Sequence, residues 1–174
     1  YVASWGKNLI ITEGEFKAAA AAQLGFDAIA LPGVGSFSGE HFPELVKLLN
    51  DHQVKDICII FDSEDKVTPG QPRHKANPSQ RYDTEYYSYL MAYLLEREGK
   101  TVKIGRLPAS WRVDYKIDID GALAQGKTAD DIKGVIASAL SAKDYFNELD
   151  KEAQKIIRKK KDKRYFRSHL SIAH

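Results

Sequence analysis

Acidic side chains follow the apolar, strand-like segments of this 174-residue sequence. In chain order they are Glu13; then Asp62, Glu64 and Asp65; and then Asp118 and Asp120. Clustered carboxylates repel one another unless a cation compensates them, and Mg²⁺ takes hard oxygen ligands from carboxylates, water and substrate phosphates. Each acid taken singly is better explained as a helix cap or a solvated charge. Together, they predict a site for divalent-metal chemistry on phosphates.

The elements that must position these acids alternate in type along the chain. The hydrophobic patterns predict strands at Asn8–Thr12, Asp27–Leu31, Asp56–Phe61 and Thr101–Leu107. They predict helices over Glu15–Leu24, His41–His52, with Leu45, Leu48 and Leu49 on one face, and Tyr82–Glu98. Strands alternating with helices favour an α/β fold with a largely parallel four-stranded sheet flanked by helices. Because parallel strands end at one edge of a sheet, the acids are expected to meet there.

The composition indicates a globular domain and excludes a membrane-spanning segment. The chain is 43% hydrophobic and 29% charged, as expected for a globular domain, and no apolar run approaches the roughly 20 residues that cross a bilayer. Because Cys58 is the only cysteine, the chain cannot form an internal disulfide, and a cytoplasmic setting is favoured. Cys58 lies within an apolar strand, so we predict that it is a buried core residue. The sequence shows no secretory signal. It also lacks an initial Met, so we expect it to be a piece of a longer protein.

Five short motifs, in their order and spacing, resemble a Toprim domain. They are Thr-Glu-Gly-Glu at 12–15, Leu-Pro-Gly-Val-Gly-Ser at 31–36, Phe-Asp-Ser-Glu at 61–64, Leu-Pro at 107–108, and Asp-Ile-Asp-Gly-Ala-Leu at 118–123. The branch most resembled is the primase-like one of plasmid and phage replication proteins, over about residues 8–126. The resemblance implies a Rossmann-like, Toprim-like α/β fold.

The resemblance also implies a site that holds Mg²⁺ or Mn²⁺. It implies Glu13 as a ligand or general base, and the pairs Asp62 with Glu64 and Asp118 with Asp120 as metal ligands. Glu64 stands where the family has a second Asp, so Asp65 is an alternative ligand. Lys17 stands where bacterial primases have an Asp, and because a lysine cannot bind the metal we expect it to contact a phosphate.

A competing motif occurs at residues 121–128, where Gly-Ala-Leu-Ala-Gln-Gly-Lys-Thr satisfies the phosphate-loop pattern. Its Ala-Leu-Ala-Gln core favours a helix, which would use the amides that a phosphate loop turns toward its ligand. Gly126 is better placed as a helix C-cap, and Thr128 as the start of a capping arrangement for the next helix. We therefore expect no nucleotide bound through Lys127.

Basic residues form two further groups. Residues 150–174 carry nine Lys or Arg and three acids, so this basic segment is +6 while the net charge of the chain is only +2. A catalytic domain over residues 1–143 and a basic helical extension or linker over 144–174 are expected. The candidates for contacts with nucleic-acid phosphates are Lys66, Arg73, Lys75 and Arg81 in and after a Pro-rich loop, and Arg158, Lys159, Lys160 and Lys161 in the basic segment. A solvated loop and a solvated helix face are the simpler explanations.

The function expected from these features is a Mg²⁺-dependent domain of a replication protein that forms or cleaves phosphodiester linkages, most simply by primase-type nucleotidyl transfer. The expected partners are DNA or RNA, nucleoside triphosphates, and a helicase or zinc-binding domain of the same chain, with no membrane. A Toprim nuclease and a non-catalytic nucleic-acid-binding module are the alternatives. The tyrosines Tyr82, Tyr86 and Tyr87 share one predicted helix, where packing explains them better than a topoisomerase nucleophile.

Overall fold

The computed structural model describes residues 8–37, 41–66 and 82–169, and gives side chains between residues 9 and 160 of those ranges. The strands are β1 (Asn8–Glu13), β2 (Asp27–Leu31), β3 (Asp56–Ile60), β4 (Ser63–Glu64), β5 (Thr101–Gly105) and β6 (Lys116–Ile117). The helices are α1 (Glu15–Gln23), α2 (His41–Asp51), α3 (Asp83–Arg97), α4 (Ile119–Ala124), α5 (Ala129–Ala137), α6 (Ala142–Glu148) and α7 (Lys151–His169). In the described ranges, none of these helices is both long and apolar enough to cross a membrane.

Four strands form one sheet in the order β2-β1-β3-β5, and every neighbouring pair is parallel. Ile10 of β1 is opposite Ala28 on one side and Cys58 on the other. The predicted α/β fold with a four-stranded, largely parallel sheet is confirmed. The carboxyl ends of β1 and β3 are therefore adjacent in the middle of the sheet, which is where a ligand site is expected.

Each face of the sheet is covered by its own hydrophobic core, because alternate residues of a strand point to opposite faces. Leu9 and Ile11 of β1 face the core formed with α2, α3, α6 and α7. Ile10 and Cys58 face the second core, with α1, α4 and α5. Cys58 is buried in this core, as predicted, and burial raises the pKa of its thiol to about 12.

Helix α2 differs from the predicted pattern at one position. Leu45 and Leu49 are buried, but the side chain of Leu48 is 40% exposed, and Phe42 is buried instead. Residues 42, 45 and 49 follow the three- and four-residue spacing of one helix face, whereas residue 48 lies on its margin. The prediction that Leu48 belongs to the buried face is therefore wrong.

The first part of the C-terminal segment packs with the sheet. The predicted boundary between residues 143 and 144 falls within α6, and Tyr145 and Ile157 beyond it both belong to the core on the α3 face. Arg158 stacks its guanidinium over the Phe146 ring at 5.3 Å. Residues 145–157 are thus structurally continuous with the α/β domain.

Candidate functional site

The site begins where two central strands end. Glu13 is the last residue of β1, and Asp62 lies two residues beyond β3, the neighbouring parallel strand. Gly14 turns the chain from β1 into α1 with a φ of 81°, a conformation that glycine adopts without the steric cost of a side chain. The turn places Lys17 in the first part of α1, beside the end of β3.

Two lysines pair with the Asp62 carboxylate, whose side chain is only 8% exposed. Lys17 Nζ lies 2.8 Å from Asp62 Oδ1, and Lys116 Nζ lies 2.9 Å from Asp62 Oδ2. Both ammoniums also lie near Asp118. The distance to Asp118 Oδ2 is 3.4 Å from Lys116 Nζ and 3.9 Å from Lys17 Nζ. The two lysines therefore link Asp62 to Asp118 and neutralise much of their charge.

A short antiparallel ribbon brings the two aspartates together. In it, β4 pairs with β6, with Ser63 opposite Ile117 and Glu64 opposite Lys116. One step further along the same register, Asp62 is opposite Asp118. Asp118 and Asp120 thus follow the fourth strand of the main sheet in the chain, as expected, but they reach the site from β6, a short strand that the sequence pattern does not predict.

Asp118 and Asp120 share hydrogen bonding at the start of α4. Asp118 is the N-cap, and its Oδ1 accepts a hydrogen bond from Gly121 N at 2.9 Å. Burial acts to raise the pKa of Asp118, but hydrogen bonds from Asp120 and Gly121 and the Lys116 charge outweigh it, so the pKa is lowered. Burial raises the pKa of Asp120, and the hydrogen bond to Asp118 and the negative charge of Asp118 raise it further. Asp118 is therefore the member of the pair that ionises first.

Glu13 lies within electrostatic reach of the same groups. Burial raises the pKa of Glu13, the Asp62 charge adds to the rise, and the Lys17 ammonium opposes it. Burial acts to lower the pKa of Lys116, but its hydrogen bond to Asp62 and the charges of Asp62 and Asp118 raise it above its usual range. We refer to these six residues as the acid–lysine cluster: Glu13, Lys17, Asp62, Lys116, Asp118 and Asp120.

The cluster fits a divalent cation that keeps only a few protein ligands. Two buried carboxylate oxygens, Asp62 Oδ1 and Asp120 Oδ1, accept no well-aligned hydrogen bond from the described residues. Lys17 lies close to Asp62 Oδ1 and forms an ion pair with it, but the geometry is not that of a hydrogen bond. Within the same residues, no three His, Cys, Asp or Glu side chains are arranged as a ligand set. A closed protein cage is therefore not formed. An open site fits, since Mg²⁺ commonly takes one or two carboxylates and completes its shell with water and substrate phosphates.

Glu64 belongs to a second, neighbouring group of charges. Its Oε2 lies 2.9 Å from Lys66 Nζ, which also lies 3.4 Å from Glu85 Oε2 of α3. These side chains line a cavity of about 550 Å³ that extends to Asp62 and Arg112. Glu64 still raises the pKa of Glu13 through its charge, so the two groups interact electrostatically.

Asp65, the alternative to Glu64, is held through its backbone. Its amide N–H donates to Tyr115 O at 2.6 Å, which extends the contact between the β4 and β6 segments. Its side chain is half-buried and lines the same cavity as Glu64 and Lys66. Neither Glu64 nor Asp65 forms an ion pair with Lys17 or Lys116 among the contacts that the structure describes.

The predicted phosphate contacts are in different environments. Lys66 is 7% exposed and engaged with Glu64 and Glu85, so it is a buried residue rather than part of an exposed loop. Lys160 pairs with Asp83 and lies over the Tyr86 ring, Arg158 covers Phe146, and Lys159 is exposed. Arg73, Lys75 and Arg81, and the side chain of Lys161, lie outside the described residues.

The structure also decides between the helix and the phosphate loop at residues 121–128. Gly121 to Ala124 belong to α4, Gly126 ends it with a φ of 77°, and Thr128 begins α5 with a capping box completed by Asp131. Lys127 Nζ lies over the Trp111 ring, 4.8 Å from its centre. The predicted helix is confirmed, but its C-cap is Gln125, and Gly126 is the residue that follows the cap.

Sequence reasoning missed Lys116 and Glu85. Lys116 lies two residues before Asp118 in an extended segment, a spacing that places two side chains on the same side of a strand. That spacing is the signal that could have found it. Glu85 has no local signal, because only the folded chain brings α3 beside Lys66.

Comparison with models of protein families gives a match. The model of a family described as a domain of unknown function, DUF3854, matches residues 3–112. The matched range contains Glu13, Lys17 and Asp62, and it ends before Lys116 and Asp118. A search of the curated proteins finds no match.

Proposed function

The chain belongs to the DUF3854 family of domains of unknown function, and we propose that it is a Toprim-like domain that forms or cleaves phosphodiester linkages with Mg²⁺ or Mn²⁺. Primase-type nucleotidyl transfer is the activity we favour. One observation carries the proposal: Asp62 and Asp118 are held together across the β4–β6 ribbon, beside Glu13 at the end of the adjacent parallel strand. Neighbouring strand ends are where α/β proteins place their reactions.

Each member of the acid–lysine cluster has a role in this proposal. Asp62 and Asp118 would hold the divalent cation, and the chemistry that such a cation would supply is polarisation of a phosphate and activation of a hydroxyl or water. Glu13, whose pKa is raised by burial, accepts the proton of the attacking hydroxyl. Lys17 and Lys116 neutralise the charge that develops on the phosphate oxygens.

The cavity next to Asp62 supports a small-molecule substrate. Its volume of about 550 Å³ is within the usual range for small-molecule sites, and Arg112 lies on its wall. The Arg112 guanidinium donates hydrogen bonds to Ser63 Oγ at 3.0 and 3.2 Å, so this cation is held one residue from Asp62. The cavity therefore has space for a small molecule and a positive group beside the proposed metal ligand, and because most of its charged lining residues are acids, we expect a nucleoside triphosphate to enter it with a divalent cation.

The alternatives would use the same residues. Because the same carboxylates could activate water for strand cleavage, a nuclease would have an identical site. The lysine pairs that neutralise Asp62 without any metal favour the third possibility, a non-catalytic nucleic-acid-binding module.

A single assay separates these functions. A 5′-labelled primer on a single-stranded template is incubated with Mn²⁺ and nucleoside triphosphates, and the product lengths are compared for wild type, Asp62→Asn and the control Asp51→Asn. Asp51 is an exposed acid paired with Lys47 on α2, so its variant keeps wild-type activity. We expect primer extension by wild type and a loss of at least about a hundredfold in Asp62→Asn. Shortened strands that disappear in Asp62→Asn would identify a nuclease, and unchanged strands with retained binding would identify the binding module.

A further inference from the structure

The Lys116 ammonium lies between the two carboxylates that the proposed function assigns to the metal. Its Nζ is 2.9 Å from Asp62 Oδ2 and 3.4 Å from Asp118 Oδ2, so it bridges one oxygen of each acid. A cation that bound both carboxylates through these two oxygens would take the place of the ammonium. An ammonium and a divalent metal cannot both occupy that place.

The two lysines of the cluster are not equally fixed. The Lys17 side chain is 14% exposed and lies on α1, where its close contact is with the other oxygen of Asp62. The Lys116 side chain is 36% exposed and lies on a two-residue strand. Lys116 therefore has open space beside it and can move its ammonium toward solvent without disturbing a helix.

We propose that Lys116 is a built-in counter-cation that holds Asp62 and Asp118 together in the metal-free protein and is displaced when a divalent cation binds. This rests on the proposed function, because the cation and its two ligands are those assigned there. Four carboxylates face two ammoniums in the acid–lysine cluster, so the cluster is net negative and attracts a cation. The displaced ammonium stays on the rim of the site, where it is available to a phosphate oxygen.

Metal affinity tests the exchange directly. Mn²⁺ binding is measured by isothermal titration calorimetry on wild type, Lys116→Met, Lys116→Arg and the control Lys133→Met. Methionine keeps an unbranched apolar stem of similar length and removes the charge, and Lys133 is an exposed lysine paired with Asp130 on α5. We expect Lys116→Met to bind Mn²⁺ at least about tenfold more tightly than wild type, and both other variants to stay within about threefold of it.

Chemical labelling separates displacement from a general effect of charge. Wild-type protein is treated briefly with an amine-acetylating reagent, with and without Mn²⁺, and the labelled lysines are located by peptide mass spectrometry. Displacement predicts that Mn²⁺ increases labelling of Lys116 at least about threefold, since its ammonium leaves two carboxylates, while labelling of Lys133 stays constant. Unchanged or reduced labelling of Lys116 at saturating Mn²⁺ overturns the proposal.

The outcomes distinguish this inference from the proposed function. Mn²⁺ binding to wild type with equal or weaker binding to Lys116→Met overturns the exchange and leaves the metal site in place. Absence of Mn²⁺ binding to wild type and to every variant overturns both. Circular dichroism of Lys116→Met and Lys116→Arg checks that the fold is intact in each comparison.

Discussion

Lys17 Nζ lies 2.8 Å from Asp62 Oδ1, so Lys17 at the start of α1 is a counter-ion to the acid that follows β3, the strand beside β1 in the sheet. The contact joins the start of α1 to the end of β3. It also changes the electrostatics of the site, because the cation reduces the repulsion among the acids.

The first prediction concerns the stability of Asp62→Asn. Repulsion among carboxylates alone would make this substitution harmless to the metal-free protein. The two lysine pairs reverse that expectation, since the variant leaves Lys17 and Lys116 beside a neutral amide in a largely buried place. We expect a loss of about 3 kcal/mol in the free energy of unfolding, measured in urea without metal.

Asp51→Asn is the matched control for that measurement. Asp51 is exposed and pairs with Lys47 on the same helix, so its loss should cost less than about 0.5 kcal/mol. Equal stability of Asp62→Asn and wild type would show that the lysine pairs contribute nothing.

The second prediction concerns the pH dependence of stability at Glu85. Burial raises the pKa of Glu85 above its ordinary value of 4.5, although the Lys66 ammonium opposes the rise. The folded protein therefore binds this proton more tightly than the unfolded chain does. Its contribution to stability is complete below 4.5 and is lost as the pH rises through the folded-state pKa.

Glu85→Gln removes that loss. The unfolding free energy of Glu85→Gln relative to wild type should increase as the pH rises above 4.5 and through the folded-state pKa of Glu85, as measured by urea denaturation at a series of pH values. Glu96→Gln, at an exposed position of the same helix, serves as the control and should follow wild type. A pH-independent difference between Glu85→Gln and wild type would contradict the assignment.

The third prediction concerns Lys127. Because the residues before it form α4 and its ammonium lies over Trp111, Lys127→Ala should leave ATP affinity within about twofold of wild type. Equilibrium dialysis or calorimetry with ATP checks this. A loss of about a hundredfold, or about 2.7 kcal/mol, would restore the phosphate-loop interpretation.

The fourth prediction concerns the basic segment, residues 150–174. Deleting all of it would also remove Ala153 and Ile157, which are buried, so the informative variant ends at residue 160. The removed residues carry four Lys or Arg and one Asp. We expect single-stranded DNA affinity to fall at least about tenfold at low salt, with a shallower salt dependence, as measured by fluorescence anisotropy. Unchanged affinity would assign DNA binding to another surface.

The sequence by itself determined the elements of this protein. The apolar run at Asp56–Ile60, the alanines of α1 and the Gly and Thr residues around α4 and α5 specify local structure through side-chain periodicity, helix propensity and capping. These effects act over a few residues, so they are visible in a one-dimensional pattern. The same alternation predicts a largely parallel sheet with Glu13 and Asp62 at the carboxyl ends of its strands, whereas the strand order β2-β1-β3-β5 comes from the structure.

Only the tertiary structure decided which charges meet. Lys116 pairs with Asp62 because β4 and β6 are paired in one particular register, and Glu85 meets Lys66 because α3 covers that side of the sheet. Ion pairs between distant residues depend on distances of a few ångströms and on burial, neither of which a sequence pattern encodes. For that reason the carboxylates at the strand ends were predictable, and the ion pairs that Lys17 and Lys116 form with them were not.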